Sequence, residues 1–224
     1  MSDHLIVQMP DSAPAQLILL FHGVGSTPES MAPLGARLAA AFPQAAVVSV
    51  PGPDACDMGT GFQWFSVRDI TEGNRTQRIA ETMPRFVACV RSIQQATGTT
   101  PSQTALIGFS QGAIMSLEST QLAEPLAGRV IALSGRFAQP PEQAPASTTL
   151  HFIHGKSDPV IPYSHTVTAA ERLIRLGGDV TADVIPFLGH DVSREAEDLL
   201  IERLQTHIPK RLWEQAMQSA PADQ

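Results

Sequence analysis

Ser110 sits between two glycines in the run ALIGFSQGAIM, residues 105–115. Ala105-Leu106-Ile107 ahead of it read as a buried strand, and Ala113-Ile114-Met115 behind it read as a helix. The polar pair therefore falls on a strand-to-helix turn. A turn that sharp leaves little room at positions 108 and 112, which need small residues, and it lifts the serine above the sheet. The hydroxyl then lies by a helix N-terminus, whose free N–H groups favour developing negative charge. Nucleophilic attack on an acyl carbon is the chemistry such a serine suits.

A serine hydroxyl is a weak nucleophile unless a base takes its proton, and the base needs an orienting carboxylate. Asp158, in HFIHGKSDPVIP, follows an apolar run at 149–154; His190, in ADVIPFLGHDVS, follows another at 180–187. The order is serine, acid, histidine, with separations of 48 and 32 residues that leave room for the intervening elements. Both fall at the carboxyl ends of expected strands, the edge where open α/β sheets carry their sites. Ser110 is thus read as nucleophile, His190 as general base and Asp158 as its partner.

Other side chains fit these roles less well. Asp191 adjoins the base, but neighbouring side chains of an extended segment point apart. Asp179 and Asp183 belong to the last strand or its entry, too early for the acid. His151, His154 and Asp158 resemble a metal-ligand set, yet strand residues three apart face opposite sides, so no metal is expected. His4, His165 and His207 sit in no motif.

A tetrahedral intermediate also needs donors for its oxyanion. The N–H after the nucleophile, on Gln111, supplies one. The loop after an early strand, LLFHGVGST, supplies Val24 as the other. Gly23-Val24-Gly25 lacks the Gly-Lys-Ser/Thr ending of a phosphate loop and the third glycine of a dinucleotide fingerprint, so no cofactor is expected. His22 reads as a residue that shapes this loop.

These residues must be carried by alternating elements. Strands are expected at 4–9, 16–22, 45–50, 103–109, 129–133, 149–154 and 180–187. Several, such as LILLF and AVVSV, are apolar throughout, as strands covered on both faces are. The first two, joined by PDSAPA, suggest an antiparallel pair; helices separate the rest, which implies parallel pairing. A helix starts at Thr27 and Pro28, and a second spans about 74–96 with a kink expected at Pro84. Further helices follow the Gly108–Gly112 turn and fill about 163–176 and 193–207. FAQPPEQAPAST reads as a surface connection. The expectation is one α/β domain over 1–224, with about 210–224 as a C-terminal tail.

Composition narrows the function. A chain of 224 residues with net charge −7 lacks the basic footprint of a nucleic-acid binder and is poorly suited to anionic membranes. No apolar run approaches the roughly 20 residues of a membrane span, and MSDHLIVQMPDS does not read as a signal peptide. Cys56 and Cys89 are expected as free thiols, consistent with a cytoplasmic protein.

Taken together, LLFHGVGST, QWFSV, ALIGFSQGAIMSLE, VIALSGR, HFIHGKSDPVIP and LGHDVS resemble the phospholipase/carboxylesterase family of small serine hydrolases, from about residue 5 to 208. Two segments depart from the common pattern: His22-Gly23-Val24-Gly25-Ser26 ends without an aspartate, and Trp64-Phe65-Ser66 has serine where aspartate is common. The resemblance implies a lidless α/β-hydrolase fold and the same roles for Ser110, Asp158, His190, Val24 and Gln111. It implies hydrolysis of short- to medium-chain acyl esters, with lysophospholipase or acyl-protein thioesterase activity as the alternative. The presence of all three triad residues argues against a non-catalytic binding module. The partner expected is a small-molecule ester or thioester, and a homodimer is compatible with the sequence. Trp64 and Phe65 follow a long irregular stretch after the strand at 45–50, on the edge where binding residues gather. They are expected to line an apolar groove for the acyl chain.

Overall fold

Burial on both faces decides which segments become central strands. In the computed structural model, which describes residues 4–219, QLILLF forms β2 (Gln16–Phe21) and AAVVSV forms β3 (Ala45–Val50). β3 is buried along its whole length, as is β2 beyond Gln16. They join β1 (Leu5–Gln8), β6 (Thr104–Phe109), β7 (Arg129–Leu133), β8 (Thr149–Gly155) and β9 (Val180–Ile185) in one seven-stranded sheet. Its order is β1-β3-β2-β6-β7-β8-β9. All neighbours are parallel except β1, which runs antiparallel to β3.

That pairing corrects the expected β1–β2 hairpin. β2 has both edges taken, by β3 and β6, as an all-apolar strand requires. β1 is only half buried, with Ile6 59% exposed, and it fits an edge. A further short antiparallel pair, β4 (Asp54–Ala55) and β5 (Phe62–Gln63), lies in the stretch the sequence left irregular.

The sheet's two faces are covered by different helices. Along β2, Leu17, Leu19 and Phe21 face one core and Ile18 and Leu20 the other, the two-residue alternation of a strand. The first core takes α2 (Glu72–Thr97), α3 (Gln111–Glu118) and α4 (Ser164–Arg175). The second takes α1 (Ala32–Ala41) and α5 (Arg194–Thr206). Pro28 opens a 3-10 turn, Pro28–Met31, that leads into α1. Thr71 and Asn74 form a reciprocal cap at the start of α2, which runs on through Pro84 and buries Ile79, Met83, Phe86, Val90 and Ile93.

The region read as a tail is helical in part: α6 spans Lys210–Ser219, and residues 220–224 lie outside the described residues. Cys56 and Cys89 are free. Among the described residues no helix is long and apolar enough to cross a membrane.

Because strands β2, β3 and β6–β9 are parallel, the turns after β2, β6, β8 and β9 open on one edge. Those turns carry Val24, Ser110, Asp158 and His190.

Candidate active site

Steric necessity shapes the turn that carries Ser110. A Cβ on Gly108 would stand 2.4 Å from the Ala113 nitrogen, and one on Gly112 would stand 2.2 Å from the Phe21 carbonyl oxygen. No side chain survives either contact. Between them Ser110 takes φ 52° and ψ −114°, in the left-handed range that L-residues avoid. Such strain persists only where surroundings over-determine it. Here the Ser110 N–H donates to the Leu133 carbonyl at 2.9 Å, and α3 begins at the next residue.

The loops bearing the other two residues are packed together. Lys156 N–H donates to Ile185 and Ser157 N–H to Leu188, at 2.8 and 2.9 Å. A Cβ on Gly155 would lie 2.3 Å from the Leu188 carbonyl, so glycine there lets the loops close. The result brings three distant residues into line. His190 Nδ1 is 2.7 Å from Asp158 Oδ2, and His190 Nε2 is 2.9 Å from Ser110 Oγ. A carboxylate only accepts, so Nδ1 carries the proton and Nε2 is free to accept the serine hydroxyl. Asp158 Oδ1 accepts the N–H groups of Val160 and Ile161 at 2.8 and 2.9 Å. Burial pushes the Asp158 carboxyl up, but the His190 bond and the two backbone donors outweigh it and hold the group below its ordinary range. The Phe109 ring lies tilted beside the His190 ring at 5.0 Å.

The loop after β2 is shaped from within. His22 is fully buried; its Nε2 accepts the Gly52 N–H at 2.9 Å, and its Nδ1–H donates to the Gly23 carbonyl at 2.7 Å. Burial holds His22 below its ordinary range, so it stays neutral and keeps this tautomer. Gly25, at φ 75°, turns the chain toward β5, where Gly25 N–H donates to Phe62 and Phe62 N–H donates to Ser26, each at 2.8 Å. Among the described residues neither the Val24 nor the Gln111 amide donates to a protein oxygen. Neither N–H is taken up within the fold.

Trp64 and Phe65 are not where the sequence placed them. They are 1% and 3% exposed, inside the core rather than along a groove. Trp64 packs edge-on against Phe21 and Phe86, each at 5.4 Å, and its Nε1–H donates to the His22 carbonyl at 3.2 Å. The Gln111 side chain clamps the same segment: Oε1 accepts the Trp64 N–H at 2.7 Å and Nε2 donates to the Phe65 carbonyl at 2.6 Å. These aromatics brace the loop and the elbow from behind.

Most of the chain matches one family model: residues 2–208 match that of Phospholipase/Carboxylesterase. The chain belongs to the phospholipase/carboxylesterase family. Within that family it is 48% identical to Esterase YpfH of Escherichia coli K12, over 96% of this chain and 93% of that protein. It is 31% identical to Acyl-protein thioesterase 1 of Gibberella zeae, over 51% of this chain and 52% of that protein. Among solved structures, esterase PE8 superposes with a TM-score of 0.82 at 28% identity, covering 92% of this chain and 98% of that one. The fold is the α/β-hydrolase fold, and the chain is a hydrolase with carboxylesterase relatives.

Ser110 itself is buried, 8% exposed. A cavity of about 460 Å³ between α2, the 136–141 connection and α4 is lined by Arg136, Phe137, Pro140, His165 and Arg172 among others, and by no residue of the triad. Around the triad the sequence reading missed exposed apolar residues. Val160 follows Asp158 by two positions and is 63% exposed; Phe187 precedes His190 by three and is 94% exposed, at φ 61°. The signal available in the sequence was only an aromatic residue three positions ahead of His190, in PFLGH. His151 and His154 have separate partners: His151 contacts Arg129 and Thr181, whereas His154 contacts Thr166, Ile161 and Asp158.

Proposed function

We propose that the protein is a serine carboxylesterase that hydrolyses short- to medium-chain acyl esters through an acyl-serine intermediate. One observation carries this reading: the unbroken line Asp158–His190–Ser110, at 2.7 and 2.9 Å, ending at a strained serine. His190 Nε2 takes the hydroxyl proton as Ser110 Oγ bonds to the ester carbon. The carbonyl oxygen becomes an oxyanion and accepts the N–H groups of Val24 and Gln111; one such donor is worth roughly 10²–10³ in turnover. Collapse breaks the bond to the alcohol, which leaves with the proton from His190. Water then gives a proton to His190, attacks the acyl-serine, and releases the acid with Ser110 restored. Asp158 holds the ring in one tautomer and stabilises the transient imidazolium.

The family match to a protein named an acyl-protein thioesterase supports a second reading, in which the leaving group is a thiol. The same geometry serves both. Fluorophosphonate labelling tests the core of the proposal: the wild type should be modified at Ser110. Ser110→Ala should lose labelling and fall to the residual, roughly 10³–10⁴-fold over water, left by binding and oxyanion donors. Full esterase activity in that variant would overturn it. Matched panels of acyl esters and thioesters then separate the two readings, with the higher kcat/KM deciding.

A further inference from the structure

Asp158 has a neighbour that the triad does not include. The His154 side chain, on β8, is fully buried, and its Nε2 lies 3.2 Å from Asp158 Oδ2, the oxygen that also binds His190. The same Nε2 lies 2.8 Å from the Ile161 carbonyl. A carbonyl and a carboxylate only accept, so Nε2 must carry the proton and share it between the two, with Ile161 as the shorter arm. On the other side Nδ1 lies 2.8 Å from Thr166 Oγ1, on α4, and accepts its hydroxyl proton. Burial holds His154 below its ordinary range despite the acceptors at Nε2, so the ring is a neutral donor rather than a second cation. Asp158 Oδ1 accepts the Val160 and Ile161 N–H groups, Oδ2 accepts the His190 Nδ1–H, and His154 Nε2 stands 3.2 Å from that same Oδ2.

We propose that His154, set by Thr166, is a positioning residue that orients the Asp158 carboxylate against His190 and draws off part of its charge. The inference rests on the triad reading above. The titratable groups in range are Asp158 from the β8–α4 loop, His190 from the β9–α5 loop and His165 from α4, which senses His154 and is itself held low by burial. A carboxylate stripped of one neutral donor attracts an imidazolium more strongly. Removing the His154 donor therefore moves the acid limb of kcat/KM to higher pH.

The test compares His154→Phe, which keeps a ring but removes the N–H, with His154→Gln, whose amide nitrogen can stand at the Nε2 position. His154→Phe should shift the acid limb upward, so that its loss of kcat/KM is several-fold greater at about pH 6 than at about pH 8, with KM little changed. His154→Gln should return the limb toward wild type. An equal loss at both pH values in the two variants, or no loss, would overturn the proposal. If His154→Phe fails to fold, nitrogen-15 NMR of the wild-type histidines decides. His154 must appear as the neutral Nε2–H tautomer, and its signals must move when His190 titrates. An Nδ1–H tautomer, or a ring indifferent to that titration, refutes it. Loss of labelling at Ser110 in the wild type would instead sink the triad reading, which keeps the two failures distinct.

Discussion

At the scale of single residues, the site is a problem of holding one serine in a conformation it would otherwise avoid. Glycine at 108 and 112 removes the clash, and the Leu133 carbonyl anchors the serine amide. Asp158 acts one bond further out. Asp158→Asn keeps the size of the side chain, but its amide nitrogen cannot accept the His190 Nδ1–H and favours the opposite tautomer. Turnover should fall by about 10⁴ while the thermal midpoint changes little, as tautomer loss predicts. Steady-state kinetics beside a melting curve check it. Near-normal rates would require a different carboxylate, and Asp191, whose Oδ1 instead accepts the Val192 N–H, would be the next to try.

At the scale of elements, the segment between β3 and α2 is a brace. Trp64 reaches Phe21 on β2 and Phe86 on α2, and Gln111 on α3 grips it by the backbone. Truncating a buried tryptophan costs about 3–5 kcal/mol. Trp64→Ala should therefore melt earlier and lose kcat/KM by one common factor across p-nitrophenyl esters of increasing chain length. A flattened chain-length dependence with unchanged stability would put Trp64 back at the acyl chain. The proposed Ser110–Asp158–His190 line was readable in the sequence because three residue types stand in order just past three expected strands, a local signal at each point. The placement of Trp64 was not readable in that way. A loop aromatic looks alike whether it lines a groove or fills a core, and the deciding hydrogen bonds come from Gln111, 47 positions on. The pairing of β1 was hidden for the same reason: its own residues announce a strand, but only the crowding of both β2 edges says which neighbour remains.

At the scale of the whole molecule, neutral buried imidazoles tie stability to pH. His22, His151 and His154 are at most 1% exposed, and burial is the leading cause that holds each below its ordinary range. For His151 the value falls to about 3, with Arg129 adding to the effect of burial. Below about pH 6.5 the unfolded chain binds protons at these sites more readily than the folded one, so stability present above that pH drains away as pH falls, for His151 down to about 3. Each such histidine steepens the slope by at most about 1.4 kcal/mol per pH unit. His151→Gln should shallow the dependence of the urea midpoint on pH between about 6.5 and 4. An unchanged slope would mean that His151 is charged in the folded state.

The antiparallel β1 has a consequence in time as well as in space. During synthesis Leu5 emerges 44 positions ahead of Ser49, the residue it pairs with. Until β3 has formed, β1 has no edge to join, so it is added to the sheet rather than seeding it. Being added late on one flank, it is also the strand whose amides should surrender their protons to heavy water first.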